Sequence, residues 1–342
     1  MRVLLLACLI PKTGNYTTAE RIRDHIEDAG HVCILRDSRD FNSASEVALL
    51  NQKEPFNAAL AIHLFKGGRL LLDVGVPFGV VFGGTDINKD VKDEHKRSMM
   101  KDVLQRARFA VAFTKEMKQK AESYLKCDSN KISIQAQGIE TRISSDFSWR
   151  DFLHSSGVEV DQVDDLHVFL LVCGLRRVKD PLYLLNAFSE WHSQNPLVIF
   201  IIIGPKVDPA FSTEVEECVK RTDGVYLAAE RNQEELHAVM KKSFALVNSS
   251  ISEGMSAAIL EAMNLGVPVL ARDIPGNAAI IQHEHNGLLF SSPEEFVLLS
   301  KRLLSDQELQ ENLRVSGKCY VMEKHNAAQE RSMYHKLIET LC

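Results

Sequence analysis

The chain has 342 residues, of which 45% are hydrophobic and 25% charged, the composition of a soluble globular protein. This length is sufficient for two domains, each with its own hydrophobic core. The formal net charge of −6 argues against bulk binding of nucleic acid, although it is compatible with a local basic pocket for phosphate groups. No apolar run reaches the roughly 18 residues that a membrane-spanning helix needs.

The seven cysteines are scattered along the chain without a C-x-x-C pair. Cys8, Cys33 and Cys173 lie in apolar runs, where a thiol behaves as a small hydrophobic side chain. An odd number of dispersed cysteines favours a reducing compartment over a disulfide framework, and it indicates no zinc site.

Residues 1–10 combine Arg2 with a run of apolar residues, a pattern shared by signal peptides and by the buried first strands of α/β domains. A loop containing Gly14 and a helix opening at Thr17 or Thr18 fit the second interpretation. We therefore predict a strand and a cytoplasmic protein. The alternative is a secreted protein, if residues 1–10 act as a signal peptide.

The first half of the chain alternates between strand-like and helix-like segments. This alternation predicts an α/β fold with a parallel sheet that is covered by helices on both faces. Ligands of such sheets bind at the carboxyl ends of the strands. The predicted strands span 3–9, 31–36, 58–63, 77–82, 109–114 and 132–136, and the predicted helices include 17–29, 92–106 and 115–125.

Three loops that follow predicted strands carry candidate site residues. Gly14 lies in the first loop, His63 ends the third strand, and Asp86 follows two glycines and a threonine after the fourth. A single histidine at a strand end is also a common structural residue, and Asp86 could simply cap a helix. We predict that His63 and Asp86 contribute to catalysis and that Gly14 contributes to binding.

Residues 140–166 are polar and irregular, which predicts a linker with one short helix around 149–153. We expect a first domain over 1–150, the linker over 151–166, a second domain over 167–324 and a terminal helical segment over 325–342. The second domain has predicted strands at 168–172, 198–203, 225–228, 245–247, 267–270 and 287–290, and predicted helices at 181–191, 210–220, 233–241 and 293–304, of which the first and last begin with a proline.

The loop over 173–181 contains Arg176, Arg177 and Lys179 just before a predicted helix. Arginine binds two phosphate oxygens with its planar fork, and lysine supplies a point charge, so the loop is a candidate clamp for a diphosphate. The alternative is a solvated basic turn. We assign the clamp to Arg176 and Lys179, with Arg177 as the alternative to Arg176.

Two glutamates, Glu253 and Glu261, flank the start of a predicted helix between two predicted strands. At about 1.5 Å of helical rise per residue, their carboxylates should lie on the order of 10 Å apart. A pair of hydrolase carboxylates needs roughly 5 to 9.5 Å, so this spacing better suits two contacts with one long ligand. Gly254, Met255 and Ser256 lie between them, where the N–H groups of a helix N-terminus can bind an anion such as a diphosphate.

The Glu-x7-Glu spacing, followed by Gly266 and Pro268, resembles the donor-site signature of retaining GT-B glycosyltransferases of the family 4, group 1 type. This resemblance covers essentially the whole chain. It implies two facing Rossmann-like domains with parallel sheets and a C-terminal helix that crosses back to the first domain. The sequence departs from the family pattern at Asp180, where glycine is commoner in the family.

The same resemblance implies roles for the candidate residues. Glu253 would contact the hydroxyls of the donor sugar, Glu261 the ribose, and Arg176 with Lys179 the diphosphate. Gly204 would lie near the base, and Gly14, His63 and Asp86 would face the acceptor and the sugar.

The resemblance implies an enzyme of the glycosyl-transfer class (EC 2.4) that moves a sugar from a nucleotide diphosphate sugar to an unknown acceptor, and we expect a UDP-linked donor. The acceptor could be a glycan, a protein or a small molecule. The transfer would proceed with retention, without an obligate metal and without any cofactor beyond the donor. Nucleic acid is not an expected partner. The alternatives are a nucleotide-sugar epimerase on the same fold and a non-catalytic nucleotide-sugar binder.

Overall fold

Strands and helices alternate along the chain in a computed structural model that describes residues 1–11, 13–126, 129–159, 165–253 and 255–341. The contacts divide the chain into two units. The first consists of Met1–Gly138 with Asn326–Cys342, and the second of Ile139–His325. Among the described residues, no helix combines the length and the apolar character needed to cross a membrane.

The first unit contains a six-stranded sheet in the order β2-β1-β3-β4-β5-β6, in which every described pair is parallel. This confirms the predicted parallel sheet. The strands are β1 (Arg2–Ala7), β2 (Val32–Asp37), β3 (Ala58–Ile62), β4 (Phe78–Val81), β5 (Ala110–Ala112) and β6 (Ile132–Ile134).

Strand β1 lies inside this sheet, paired with both β2 and β3. Its residues from Val3 to Ala7 are fully buried. The strand predicted from the N-terminal apolar run is therefore confirmed.

Five helices of the first unit precede its last strand. The first of them starts at Gly14 rather than at the predicted residue 17, because the side chain of Thr13 accepts a hydrogen bond from the Tyr16 N–H and so caps the helix earlier. The helices are α1 (Gly14–Asp28), α2 (Ala44–Lys53), α3 (Gly84–Asn88), α4 (Glu94–Arg106) and α5 (Lys115–Leu125).

The second unit contains another six-stranded parallel sheet. Its order is β12-β11-β10-β7-β8-β9, so that β7, the first strand of the unit, lies in the interior. The strands are β7 (His167–Val172), β8 (Val198–Ile203), β9 (Val225–Ala228), β10 (Ala245–Asn248), β11 (Val269–Arg272) and β12 (Leu288–Phe290).

The helices of the second unit flank this sheet and agree with the predicted alternation. They are α6 (Trp149–Ser155), α7 (Leu185–Gln194), α8 (Pro209–Lys220), α9 (Gln233–Lys242), α10 (Ala257–Asn264), α11 (Pro275–Ala278), α12 (Pro293–Ser305) and α13 (Gln307–Lys324).

Two predicted boundaries in this unit differ from the structure. Helix α7 does not begin at Pro181, because Asp180 adopts a left-handed conformation (φ 45°) and turns precede Leu185. Strand β11 begins two residues later than predicted, since the Val267 N–H still donates to the Ala262 carbonyl at 2.9 Å and closes the preceding helix. Pro293, in contrast, is a first-turn proline as predicted.

The boundary between the units differs from the predicted linker over 151–166. The contacts change unit between Gly138 and Ile139, and α6 belongs to the second unit. The reason is packing, because Phe152, Leu153 and Val158 are buried in the core that includes β7 and β8. Residues 160–164 of the predicted linker lie outside the described residues.

The terminal helix α14 (Ala327–Glu339) belongs to the first unit, as predicted. Its Glu330 is fully buried and pairs with Arg21 at 2.8 Å and His25 at 3.0 Å, both on α1. Burial raises the pKa of the Glu330 carboxyl, but the bonds and charges of His25 and Arg21 outweigh it, so that the pKa lies below its usual value. These polar contacts fix α14 against α1.

Candidate active site

Three loops of the second unit meet at the carboxyl ends of β7, β10 and β11. This edge of the sheet is where parallel α/β folds bind ligands. The loop after β7 carries Lys179, the loop after β10 carries Glu253, and the loop after β11 leads into α11, which carries Gly276 and Asn277. Contacts among these residues, described below, join the three loops into one site.

Glu253 is the centre of this site, and its side chain is 9% exposed. Its Oε1 accepts hydrogen bonds from Lys179 Nζ, from Ser250 Oγ at 2.8 Å and from Asn248 Nδ2 at 3.3 Å. Among the described residues, all the donors to this carboxylate meet Oε1. Three donors, one of them charged, fix the direction of the carboxylate.

Gly276 allows α11 to approach Glu253 closely. A Cβ atom at position 276 would lie 2.2 Å from the Glu253 carbonyl oxygen, so no larger residue fits there. The neighbouring Asn277 is fully buried and donates to Asn248 Oδ1 at 3.1 Å and to the Arg272 carbonyl at 3.0 Å. The two asparagines thus tie α11 to the carboxyl end of β10.

The predicted diphosphate clamp lies in the loop after β7, where Arg177–Lys179 form a short 3-10 helix. Arg177 pairs with Glu214 on α8 at 2.9 Å and stacks on Phe211, which directs it away from Lys179. Burial raises the pKa of the Cys173 thiol to about 12; Lys179 and Arg176 act to lower that pKa, and Glu253 to raise it. Because Arg177 is engaged by Glu214 and Phe211, the assignment of the clamp to Arg176 with Lys179 stays a prediction.

The structure explains why Asp180 departs from the family pattern. Its φ of 45° is in the left-handed region that favours glycine, and aspartate tolerates this region better than most residues. Its carboxylate pairs with Arg272 Nη1 at 2.9 Å, and the Arg272 guanidinium lies 3.9 Å from the ring centroid of Tyr183. Sequence reasoning missed Arg272, because only the spatial order of the strands brings it to the loop after β7.

Gly254 lies outside the described residues. Met255 and Ser256 precede α10, which begins at Ala257. The Ser256 hydroxyl lies 3.2 Å from Asn248 Nδ2 and accepts its hydrogen bond, so this residue links the helix start to the network around Glu253.

Glu261 is the fifth residue of α10, about one turn inside the helix. Its side chain is 16% exposed, and Gln233 Nε2 on α9 donates to its Oε1 at 3.1 Å. Burial raises the pKa of the Glu261 carboxyl to about 7, and the hydrogen bond from Gln233 lowers it. Among the described residues, no lysine or arginine forms an ion pair with Glu261. His237 Nε2 lies 3.9 Å from Glu261 Oε2 and would form an ion pair with it only if the imidazole ring were protonated. Its carboxylate is therefore available to accept bonds from a ligand.

His237, on α9, lies behind Glu261 and is 2% exposed. Its Nε2 is 3.0 Å from Gln233 Nε2, and its Nδ1 is 3.0 Å from the Arg142 carbonyl and 3.2 Å from the Arg142 N–H. The Arg142 backbone can thus satisfy Nδ1 in either tautomer. Burial lowers the pKa of His237, and the ring is neutral at pH 7. Sequence reasoning did not identify Gln233 or His237.

Gly204, the residue that follows β8, has a structural reason to be glycine. Its φ is 154°, and a Cβ atom there would lie 2.0 Å from the Cys173 carbonyl oxygen. The residue permits close packing of the loop after β8 against the end of β7. Its predicted contact with a base stays a prediction.

In the first unit, His63 and Asp86 lie together at the carboxyl ends of β3 and β4. His63 Nε2 is 3.2 Å from Asn15 Oδ1, and Nδ1 is 3.5 Å from Asp86 Oδ2. His63 has a left-handed backbone conformation (φ 68°). Its ring fills the space that a Cβ atom at position 83 would need, so only glycine fits at that position.

Asp86 is fully buried and accepts bonds from the N–H groups of Leu64 and Gly83, each at 2.9 Å. The capping role considered as the alternative is therefore present. Any role of Asp86 in catalysis would act through the position of His63. Gly14 is exposed, with open space around it, and stays a predicted binding residue.

The fold and the second-unit site define a two-unit α/β glycosyltransferase of the GT-B class. Residues 159–318 match the family model described as "Glycosyl transferases group 1". The chain is 54% identical over 341 residues to Glycosyltransferase 1 domain-containing protein 1 of Xenopus tropicalis, covering 100% of this chain and 98% of that protein. The chain therefore belongs to the glycosyltransferase group 1 family, which confirms the resemblance seen in the sequence.

Two solved structures share the fold at low sequence identity. A glycosyltransferase from Rickettsia africae superposes with a TM-score of 0.77 at 14% identity, covering 99% of this chain and 98% of that one. Anabaena HepE in complex with UDP-glucose superposes with a TM-score of 0.74 at 14% identity, covering 99% and 100%. These similarities confirm the predicted GT-B fold class.

Proposed function

We propose that the protein transfers a sugar from a nucleoside diphosphate sugar, with UDP as the favoured nucleotide, to an acceptor with retention of anomeric configuration. The observation that carries this proposal is the ion pair of Lys179 and Glu253, which joins the loops after β7 and β10 just before α10, the helix that carries Glu261. UDP is favoured because the structurally similar HepE was solved with UDP-glucose.

In this proposal the diphosphate lies between Arg176, Lys179 and the N-terminus of α10. Negative charge on the diphosphate grows as the glycosidic bond breaks, and preorganised cations stabilise that growing charge. Because these side chains supply the positive charge, we propose that transfer needs no metal. Among the described residues, no group of three or more His, Cys, Asp or Glu side chains is arranged to hold a metal ion.

We assign Glu253 to binding the hydroxyls of the sugar. Its Oε1 already accepts from Lys179, Ser250 and Asn248, and donors on a carboxylate reduce its reactivity as a nucleophile. A binding role is therefore more compatible with its surroundings than a covalent one. Glu261 would accept bonds from the ribose.

The first experiment is a thermal shift assay with UDP, GDP and ADP at millimolar concentration. A ligand at about 100 times its dissociation constant adds about 2.7 kcal/mol to the free energy of unfolding, so the melting temperature should rise by a few degrees. The absence of a shift with all three nucleotides would refute the donor site.

The second experiment measures donor consumption with and without an acceptor extract, in the presence and absence of EDTA. Acceptor-dependent consumption that survives EDTA, with a product of retained anomeric configuration by NMR, supports the proposal. Acceptor-independent conversion would instead indicate an epimerase, and binding without any conversion would indicate a non-catalytic binder.

A further inference from the structure

The side-chain amide of Gln233 bridges two groups on neighbouring helices. Its Nε2 is 3.1 Å from Glu261 Oε1 on α10 and 3.0 Å from His237 Nε2, one turn along α9. An amide nitrogen carries two N–H groups, so one can donate to each acceptor. Both donors of Gln233 are then used within the cluster, which fixes the orientation of the amide.

His237 in turn anchors Gln233. When Gln233 donates to its Nε2, the proton of the neutral ring is on Nδ1, which donates to the Arg142 carbonyl at 3.0 Å. The ring is buried, so it cannot exchange these partners for water without local opening. A chain of hydrogen bonds therefore runs from the Arg142 backbone through His237 and Gln233 to the Glu261 carboxylate.

This chain of hydrogen bonds engages one of the two oxygens of the Glu261 carboxylate. Oε1 receives the Gln233 amide, and Oε2 is 3.9 Å from His237 Nε2, beyond hydrogen-bond distance. A free glutamate side chain loses considerable conformational freedom when it binds a ligand, and prior anchoring reduces that loss. The carboxylate is thus held in one orientation before a ligand arrives.

We propose that Gln233 and His237 are positioning residues that hold the Glu261 carboxylate to receive the ribose hydroxyls of the donor nucleotide. This inference rests on the proposed function. It assigns to α9 a role in distinguishing ribose from deoxyribose, although neither residue need touch the nucleotide.

The test compares the dissociation constants of UDP and 2′-deoxy-UDP by calorimetry; if the wild-type protein binds GDP or ADP instead, that nucleotide and its 2′-deoxy form are used. A hydrogen bond to a charged group contributes enough for the wild-type protein to prefer UDP by roughly 10- to 100-fold. Gln233→Met keeps the side-chain length and removes both donors, and it should reduce this preference to within about threefold. His237→Phe should shift the preference in the same direction by a smaller factor.

The affinity for 2′-deoxy-UDP is the internal control, since it should stay within about twofold of the wild-type value in a folded variant. Gln194→Met, on the exposed face of α7, is the matched control and should retain the full preference.

An unchanged preference in Gln233→Met would overturn the inference, as would an equal loss of affinity for both nucleotides. A wild-type protein that binds both nucleotides equally would refute the ribose role of Glu261 while leaving the donor site in place. A wild-type protein that binds none of these nucleotides would refute the proposed function itself.

Discussion

Lys179 Nζ and Glu253 Oε1 form an ion pair that joins the loop after β7 to the loop after β10. The lysine side chain is 16% exposed and the glutamate 9%, so the pair is largely shielded from solvent. Without ligand, each residue neutralises the other. A bound diphosphate sugar would give Lys179 a second anionic partner while Ser250 and Asn248 continue to hold Glu253.

Lys179→Ala should lower kcat by roughly 10²- to 10³-fold, the effect of removing one preorganised charged donor from a transition state. The effect on UDP affinity should be much smaller, because the charge on the diphosphate increases only as the bond breaks. Steady-state kinetics and calorimetry check the two parts. Lys206→Ala, which removes a lysine from an exposed ion pair with Glu216, is the control and should behave like the wild-type protein. Near-normal kcat in Lys179→Ala would show that the clamp assignment is wrong.

Arg176→Ala and Arg177→Ala form a matched pair of variants in adjacent positions. Arg177 is engaged by Glu214 and Phe211, whereas the sequence pattern assigns Arg176 to the clamp with Lys179. We expect Arg176→Ala to lower kcat by about 10²-fold and Arg177→Ala to change it by less than about threefold. The reverse order of effects in the same assay would transfer the clamp role to Arg177.

Several features of the fold and of the candidate site could be predicted from the sequence, because they depend on the local pattern of residues. The apolar run of β8, the turn at Gly266 and the first-turn proline Pro293 are each determined by neighbouring residues. The Glu-x7-Glu spacing likewise placed Glu253 before α10 and Glu261 within it.

Other features depend on which strands lie side by side, and the sequence alone does not give that order. Arg272 reaches Asp180 only because β11 and β7 lie on either side of β10. Gln233 and His237 reach Glu261 only because α9 packs against α10. Pairs of this kind leave no periodic signal in the chain.

Asp180 provides a test of backbone conformation separate from charge. Asp180→Gly keeps the left-handed turn and loses the pair with Arg272, whereas Asp180→Ala loses the pair and adds the cost of a left-handed alanine. The alanine variant should therefore be less stable than the glycine variant by about 1 kcal/mol, measured by urea unfolding. Equal stability would show that the turn relaxes to another conformation.

The N-terminal strand predicts an intact N-terminus. Because β1 pairs with both β2 and β3, cleavage before Pro11 would remove an interior strand of the sheet. We expect residues 2–10 to be present in the chain expressed in its native cell, as measured by mass spectrometry. A mature chain that starts near Pro11 would support the secreted alternative.

Glu261→Gln should make the ligand-free protein more stable, in a way that depends on pH. The carboxyl has a pKa of about 7 in the folded protein against 4.5 in the unfolded chain, so the folded state binds more protons between these values. The wild-type protein therefore loses stability as the pH rises from about 4.5 to about 7, and glutamine avoids that loss.

The difference in the free energy of unfolding between the two proteins should grow over this range to about 1–3 kcal/mol at pH 8, measured by urea unfolding at each pH. Glu190→Gln, which changes an exposed glutamate on α7, is the control for the effect of removing one negative charge. The same Glu261→Gln variant should have a raised KM for the donor, because Glu261 holds the ribose equally in the ground state and the transition state. A stability difference that stays constant from pH 4.5 to pH 8 would show that the Glu261 carboxylate is solvated, and would remove the reason for assigning it to a ligand.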